Sequence, residues 1–434
     1  MDLTLSVIGI VVAVLIVMLM CYKGISSLIA ATIGAIVIAL TSRINLVDAL
    51  VTYYAAGVGN MVGSLLLTLL FASCFSIMMV KTKAAYSIAD WLTRRLGMKY
   101  TPLIIMFASA ILSAGGMMIG VYMTMFPIGI YLCSKSNYSK DIVLGAIIGG
   151  AWTFAYSSPF MPSLQNMLLQ NYLGTSPSAG MVPGLVTGIL MLVATCIYLQ
   201  WQAAHWARKG RVFVDWEDLP DSKELSEDLP SVWCGLLPIV LILVLYNAVG
   251  LALPLSLACG TILLMLLQIK RFSPKEWLKV WESGMMTGVQ PLINVAAMGG
   301  IGALIGQTVF FDAVVQFTQT TTMPPYVFAM LMSTFLAFCL GSASSGLSTA
   351  LPTMAPLLQN MASASGADLG VMARIMAIGS VGPDSLPHNG TLVAAVNQFN
   401  TTYKKSYFPV FIVSVVYPLI SVVIACAMGL LGIV

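Results

Sequence analysis

The chain has 434 residues, of which 59% are hydrophobic and 8% charged, and its formal net charge is +4. Soluble domains carry about 25% charged residues. The composition therefore excludes a soluble protein and indicates a multi-pass membrane protein that sits in a lipid bilayer and binds no nucleic acid. The eight cysteines are scattered through apolar runs without a CxxC pair or Cys/His cluster. They predict no disulfide, metal centre or other cofactor.

Uninterrupted apolar runs predict eight full membrane crossings, because a spanning helix needs about 20 apolar residues. The first run follows Asp2 and lacks the basic region and cleavage site of a signal peptide, so we interpret it as a retained helix. The predicted full crossings are 3–22, 25–42, 60–80, 181–201, 232–250, 252–269, 285–307 and 407–432.

Four further apolar stretches are interrupted by glycine, proline and serine. Backbone groups freed at membrane depth need partners other than lipid, so such breaks occur where the chain is packed in protein or lines a cavity. The interrupted stretches are 102–133 (SAGG at 113–116), 142–172 (SSPFMP at 157–162), 325–361 (GSASSG at 341–346) and 371–400 (GPDSLPHNG at 382–390).

The distribution of basic residues predicts the topology. If the N-terminus is outside, and if 102–133 and 325–361 are re-entrant hairpins, every lysine and arginine except Arg43 and Arg374 lies on the cytoplasmic side. Threading either hairpin through the bilayer would place basic residues on both faces. The positive-inside rule therefore favours two hairpins, with both termini outside an inner (plasma) membrane.

Two kinds of polar segment lie between the crossings. Residues 202–231 predict a solvated cytoplasmic linker, because thirty residues with basic and then acidic character hold no evident core. Residues 84–99 and 273–283 combine tryptophan with basic side chains, which predicts amphipathic helices at the inner interface.

The interrupted stretches indicate an internal repeat. SAGGMMIGVYMTMFP, which begins at Ser113, shares five identities with SASSGLSTALPTMAP, which begins at Ser342, and Pro159 corresponds to Pro387 with a one-residue slip. We assign repeat one to 50–201 and repeat two to 284–434. A two-helix segment at 1–49 precedes them, and connecting helices at 232–283 follow the linker.

The predicted repeats have opposite orientations, because five crossings separate the two hairpins and an odd number places them on opposite sides. Glycine- and proline-broken segments at corresponding positions of two halves are typical of a transporter's binding site. The fold class expected is therefore an all-α polytopic membrane protein of two inverted repeats, each with a re-entrant helical hairpin and a discontinuous helix.

The broken segments expose helix ends to a small ligand. Free amides with the positive end of the helix dipole attract anions, and hydroxyl groups add hydrogen bonds. Small residues also serve helix packing, but four breaks at matched positions favour a binding role. The candidate substrate-binding residues are Ser113, Gly115, Gly116, Ser157, Ser158, Ser342, Ser344, Ser345, Gly346, Ser385 and Asn389.

Asp384 and His388 are the ionisable residues of the second break, and we assign them to proton coupling, since intramembrane charges are costly and usually functional. The alternative is that Asp384 caps the following half-helix and His388 bonds a carbonyl. Arg374 is expected near the outer surface, where it pairs with Asp368 or attracts anions. With no basic residue predicted at mid-membrane, a carboxylate substrate would be held by helix N-termini and hydroxyls.

The GSASSGLSTALPTM and PDSLPHNG motifs resemble the gluconate permease family of the ion transporter superfamily, and within it the D-β-hydroxybutyrate permeases. The resemblance covers the whole chain. It implies an elevator-type, alternating-access secondary transporter, commonly a homodimer, that moves small organic anions with protons. By motif match it assigns the site role to Ser342, Ser344, Ser345, Asp384, His388 and Asn389.

Three other functions are considered beside proton symport. Sodium coupling is less favoured, because the paired Ser-Asn-Thr motifs of sodium-coupled dicarboxylate carriers are not seen. An intramembrane serine hydrolase could use Ser345 with His388, but an enzyme gives no reason for mirrored hairpins. A passive channel differs in that it does not accumulate substrate against a gradient.

Overall fold

The computed structural model describes residues 3–23, 25–117, 120–214, 227–387, 389, 392, 395–396 and 402–434. These residues form helices and turns without a β-strand among them. The predicted all-α class is therefore confirmed for the part of the chain that the structure describes.

The α-helices are numbered here in chain order. Two π-helical turns, at Asp48–Tyr54 and at Ile412–Val416, are not numbered. The helices are α1 Leu3–Tyr22, α2 Ser27–Thr41, α3 Ala55–Lys81, α4 Ala84–Leu96, α5 Thr101–Ala114, α6 Gly120–Ser136, α7 Val143–Ala151, α8 Phe154–Ser157, α9 Leu164–Leu173, α10 Met181–Arg208, α11 Trp233–Asn247, α12 Leu253–Leu267, α13 Pro274–Ile305, α14 Val309–Thr320, α15 Pro325–Leu340, α16 Ala343–Ser365, α17 Leu369–Val381, α18 Tyr403–Phe411 and α19 Tyr417–Leu430.

Among the described residues, five helical stretches are long and apolar enough to cross a bilayer, or six if the α4–α5 pair, bent by 116°, counts as one span. The chain is thus a multi-pass membrane protein. The five are Leu3–Met20, Asp48–Lys81, Met181–Arg208, Pro274–Ile305 and Tyr403–Leu430. The shorter helices α2, α11, α12 and most of α15 are also apolar.

The predicted interfacial helix at 273–283 is instead the first part of α13. Ser273 begins the helix with a capping box, in which its Oγ accepts from Glu276 N at 3.4 Å and its own N donates to Glu276 Oε2 at 2.7 Å. Trp277 and Val280 are buried while Lys275, Glu276 and Lys279 are exposed, so one buried stripe continues into the crossing. The polar residues of 273–283 therefore suggested a boundary between an interfacial helix and a crossing, but the helix Pro274–Ile305 is continuous there.

Helices α3 and α13 form the most extensive helix pair of the described chain. Close approach of the two backbones requires small residues at the contact, as is common between membrane helices. A Cβ atom on Gly288 would lie 2.8 Å from Leu69 O, and one on Gly284 would lie 2.6 Å from Cys74 Cα. Helix α13 also packs on α2 and on α16, so it connects the N-terminal helices to the second broken region.

The two halves of the chain contain the same order of elements. In the first half, α5 and α6 pack on each other, α5 packs on the broken helix α7–α9, and α10 follows. In the second half, α15 and α16 pack on each other, α15 packs on α17, and α18–α19 follows. Helices α10 and α19 contact each other, so the final helix of each half meets its counterpart.

Replacing Gly288 with alanine should lower the free energy of unfolding by about 1–3 kcal/mol, because the added methyl group meets the backbone of α3 and neither helix can move freely in a packed bundle. Gly63→Ala is the matched control: it changes the same residue type on α3, where a Cβ meets nothing within 4 Å. Thermal unfolding in detergent measures both, and an unchanged midpoint for Gly288→Ala would show that the contact is slack.

Candidate functional site

The tip of the second hairpin is a short turn between α15 and α16. Gly341 ends α15 in the left-handed region, with φ 59°. Ser342 then caps α16, since its Oγ accepts from Ser345 N at 3.3 Å and lies 3.2 Å from Ser344 Oγ. The break is therefore shorter than the predicted 341–346, and Ser344, Ser345 and Gly346 belong to the first turn of α16.

Asp384 connects the second broken helix to this tip. It lies in a 3-10 turn, Pro383–Ser385, and is 9% exposed. Its Oδ1 accepts a hydrogen bond from Ala343 N at 2.7 Å, so the carboxylate occupies the positive end of the α16 dipole. Asp384 therefore caps α16, which begins 41 residues earlier in the chain. The half-helix that the capping alternative named lies largely outside the described residues.

Asn389 holds Asp384 from the other side. Its Nδ2 donates to Asp384 O at 2.6 Å and to Asp384 Oδ1 at 3.2 Å, and its Oδ1 accepts from Leu392 N at 2.8 Å. Together with the bond from Ala343 N, these three hydrogen bonds order the turn and its carboxylate. The predicted partner His388 lies outside the described residues.

The last transmembrane helix fixes the same turn. Ser385 Oγ lies 2.5 Å from Ser414 Oγ, and Ser385 O accepts from Tyr407 OH at 3.1 Å. Pro387 O accepts from Tyr403 OH at 2.9 Å. The Ser385 hydroxyl is fully buried and already paired, so this residue positions the turn around Asp384.

Arg374 is buried rather than near the surface, and this corrects the prediction made from its position at the outer end of the segment. The residue is 3% exposed. Asp368, its expected partner, instead caps α17 by accepting from Val371 N at 2.8 Å. The helix begins at Leu369, so Arg374 lies one and a half turns inside it and its side chain reaches the first half of the chain.

The Arg374 guanidinium ties the second broken helix to the first. Nη1 donates to Ser157 O at 2.6 Å and to Asn166 Oδ1 at 2.8 Å. Nε and Nη2 both donate to Ala179 O, at 3.1 and 3.0 Å, and Nη2 also reaches Pro177 O at 3.5 Å. All four acceptors are neutral oxygens, so the hydrogen-bonding capacity of the guanidinium is met while its charge is not neutralised by any of them.

The first break is built from carbonyl groups that point inward. Asn166 Nδ2 donates to Ser158 O at 3.0 Å and to Met161 O at 2.9 Å, while its Oδ1 receives Arg374. The hydroxyl of Ser157 turns back to Thr153 O at 3.2 Å. The predicted residues Ser157 and Ser158 therefore take part through their backbone oxygens, and Asn166 organises them.

Tyr156 and Gln165 are buried polar residues on either side of the first break. Gln165 is 1% exposed, and its Oε1 has no hydrogen-bond partner among the described residues. Sequence reasoning missed Tyr156, Gln165 and Asn166, although amides directly after a predicted break could have been a signal.

The tip of the first hairpin has contacts of a different kind. Ser113 Oγ donates to Ala151 O at 3.0 Å, at the end of α7. A Cβ on Gly115 would lie 2.7 Å from Ile239 of α11, and one on Gly116 would lie 2.8 Å from Leu257 of α12. These three predicted residues hold the hairpin against α7, α11 and α12. In the same way Gly346 lies against α15, where its Cβ would be 2.7 Å from Ala337 N.

A cavity of about 550 Å³ adjoins the first break. Phe160, which adopts φ 67°, forms part of its wall, and its backbone is held by Pro177 O at 3.0 Å and by Asn247 Nδ2 at 3.1 Å. The lining residues include Ser64, Thr68, Gln170, Asn171, Ser176 and Asn247. An open cavity with mixed polar and apolar walls thus reaches the segment whose backbone oxygens bind Arg374.

Asn166→Ala should lower the free energy of unfolding by about 2–4 kcal/mol, because two carbonyl oxygens and a charged donor each lose a buried partner. Asn171→Ala is the matched control, since Asn171 lies on the same helix but is exposed at the cavity wall. Thermal unfolding in detergent with chemical-denaturant titration measures both variants. Equal small shifts would show that Asn166 does not organise the break.

Comparison with known proteins places the chain among transporters. A family model described as a citrate transporter matches residues 4–379, which includes Arg374 but ends before the 382–390 break. YxjC of Bacillus subtilis, an uncharacterized transporter, is 22% identical over 95% of this chain and 96% of its own length. An uncharacterized transporter of Haemophilus influenzae is 23% identical over 78% of each chain.

Two solved structures share the fold. The YdaH transporter of Alcanivorax borkumensis aligns with a TM-score of 0.58 and 15% identity over 89% of each chain. MtrF of Neisseria gonorrhoeae, described as one of a class of antimetabolite efflux pumps, aligns with a TM-score of 0.57 and 15% identity over 98% of this chain and 94% of its own. The chain therefore belongs to the citrate transporter family of the ion transporter superfamily, and it is a multi-pass membrane transporter rather than an enzyme.

Proposed function

We propose that the protein is a secondary active symporter that moves a small organic anion together with protons by alternating access. The observation that carries this proposal is the position of the buried Asp384 carboxylate, whose Oδ1 accepts from Ala343 N at the N-terminus of α16. A carboxylate of the protein thus occupies the kind of place that a carboxylate of a substrate would take, because helix N-termini bind anions.

Protonation of Asp384 would weaken its hold on the N-terminus of α16. The ionised carboxylate is a strong, charge-assisted acceptor for the Ala343 amide, while the protonated acid is a weaker one. Proton binding therefore releases the amide and removes the like charge that would repel an incoming anion. A substrate carboxylate can then bind the first turn of α16 with the Ser344 and Ser345 hydroxyls, so that proton and anion are taken up together.

A substrate that carries both a hydroxyl group and a carboxylate suits the residues around this site. Gln165 Oε1 is buried without a partner among the described residues and can accept from a substrate hydroxyl. From the motif resemblance to gluconate permeases, the candidate substrates are 3-hydroxybutyrate and gluconate. From the family description, citrate is a further candidate. The relatives are named only as transporters, so they add no substrate.

We further propose that the two halves are inverted repeats and that the movement is of the elevator type, in a homodimer, with both termini outside. The matched order of hairpin, broken helix and final helix in the two halves supports the repeat. The pairing of α3 with α13, which precede the two hairpins, supplies a candidate static scaffold. Arg374 would then hold the two broken helices together as one moving unit.

Uptake into proteoliposomes tests the function. Short hydroxy and keto acids, gluconate and citrate are supplied with a proton gradient or a sodium gradient alone, and concentrative uptake is expected with the proton gradient. Asp384→Asn should abolish proton-driven accumulation and leave some substrate exchange, because the amide cannot take up the proton. His388→Ala is expected to do the same. Asp312→Asn, a change of the same kind at an exposed position on α14, should transport as the unaltered protein does.

Three outcomes would contradict the proposal. Full concentrative uptake by both Asp384→Asn and His388→Ala would remove the coupling role from this break. Accumulation driven by sodium alone would assign the coupling ion differently. Flux that never exceeds the equilibrium distribution would indicate a channel.

A further inference from the structure

The cavity beside the first break lies between two groups of helices. One wall is formed by α9 and the segment 176–178, and α9 packs on α16 and α17. The other wall is formed by α3, the end of α11 and the start of α12, and α12 packs on both α3 and α11. Neither the tip of the second hairpin nor the Asp384 turn contributes a residue to the lining. The cavity is therefore separate from the proposed anion site.

Two consecutive residues at the end of α11 join the groups across the cavity. Tyr246 OH donates to Gln170 Oε1 of α9 at 2.5 Å, and Asn247 Nδ2 donates to Phe160 O at 3.1 Å. All four residues line the cavity. The other polar atom of the Asn247 amide, Oδ1, is buried and has no hydrogen-bond partner among the described residues. An unpaired buried acceptor is unfavourable, and a hydroxyl group of a ligand could meet it after a small shift of the amide.

The chemistry of the walls favours an uncharged ligand. Phe160, Met167 and Leu253 supply apolar surface, and none of the described lining residues is acidic, basic or a histidine. Arg374 is not a lining residue, so a ligand in the cavity cannot form an ion pair with it. A charged ligand would lose water without a counter-charge. The lining side chains that carry amide or hydroxyl groups include Ser64, Thr68, Gln170, Asn171, Ser176 and Ser178.

We propose that this cavity is a second binding site, which takes an uncharged molecule with several hydroxyl groups, such as a sugar or the sugar headgroup of a lipid. Its volume of about 550 Å³ lies within the range of small-molecule sites. Amide and hydroxyl side chains donate to and accept from sugar hydroxyls, while the apolar side chains suit the CH groups of the ring.

The occupant would contact both groups of helices and hold them in the arrangement of this structure. This effect rests on the proposed function, because the proposed elevator movement carries α9 past α3. An occupied cavity therefore inhibits transport. Binding itself goes beyond the proposed function and does not depend on it.

The first measurement is of binding. Thermal unfolding is followed in lipid nanodiscs, which avoid sugar-headed detergents, with methyl glucoside as the probe. A ligand that binds the folded state raises the midpoint, and a rise of about 2 °C or more is expected near saturation. Methyl glucuronide has nearly the same shape but carries a carboxylate, so it should bind about tenfold more weakly. Nanodiscs that contain a glucosyl diacylglycerol and no soluble sugar are measured in parallel, and a shift there identifies a lipid headgroup as a source of the ligand.

A matched pair of variants locates the binding. Asn171→Leu removes an exposed amide of the cavity wall with little change in side-chain volume, so it should abolish the shift with methyl glucoside. Asn360→Leu makes the same change at an exposed position of α16 that does not line the cavity, so it should retain the shift. Because the variants are compared in the same sugar solution, a general solute effect is separated from binding.

The second measurement is of transport. Methyl glucoside should lower the maximal rate of proton-driven anion uptake into proteoliposomes and leave the KM for the anion unchanged, because the cavity is separate from the α16 tip. Relative to its own rate without sugar, Asn171→Leu should lose this inhibition, and Asn360→Leu should retain it.

The possible results distinguish the site from the transport proposal. No shift with methyl glucoside in the unaltered protein, or an equal shift in Asn171→Leu, would overturn the binding site. Methyl glucuronide that binds as tightly as the glucoside would overturn the selection of an uncharged ligand. Binding without inhibition would overturn the effect on the helix groups, and a rise in KM alone would assign the cavity to the anion pathway. A shift in a protein that shows no proton-driven uptake would overturn the proposed function and leave the binding site standing.

Discussion

The hydrogen bonds of Arg374 are the interaction on which the arrangement of the two broken helices depends. A guanidinium offers five donors in a fixed plane, and here they hold Ser157 O and Ala179 O in the first half of the chain from α17 in the second. Carbonyl groups freed by the first break would otherwise lack protein partners within the helix bundle. Asn166 completes the set by donating to two more of them. Arg374 and Asn166 thus satisfy the carbonyl groups of the break, and Arg374 also joins the two halves.

Asp384 makes the corresponding connection on the other side of the second break. Its carboxylate lies on the Ala343 amide, so the hairpin formed by α15 and α16 is tied to the 3-10 turn that follows α17. A helix N-terminus buried without an acceptor would be unfavourable, and the carboxylate supplies one. In the proposed cycle, protonation of the acid weakens this contact. The hairpin tip and the proposed anion site therefore depend on the same hydrogen bond.

The class of the protein and most of its apolar helices could be predicted from composition and apolar runs, because lipid requires about 20 apolar residues per crossing and leaves few alternatives for the backbone. The helix Val309–Thr320 was not predicted, and the helix Pro274–Ile305 begins earlier than predicted. The site could be predicted only in part. Asp384 and Asn389 were found because charge and amide stand out in an apolar stretch. Arg374 was misplaced, since its burial depends on oxygens of residues 157, 166, 177 and 179, some 200 positions away in sequence. Gly346 shows the converse difficulty, because a small residue beside another helix and a small residue beside a ligand look alike in sequence.

Both buried charges of the described chain come from the second half, within ten residues of each other, while the first half contributes neutral oxygens and amides. The matched helices of the two halves thus differ where the chemistry is expected. A buried charge is costly in a low-dielectric interior, so this difference between the halves places the ionisable groups available to the proposed transport on the second broken helix and the turn that follows it.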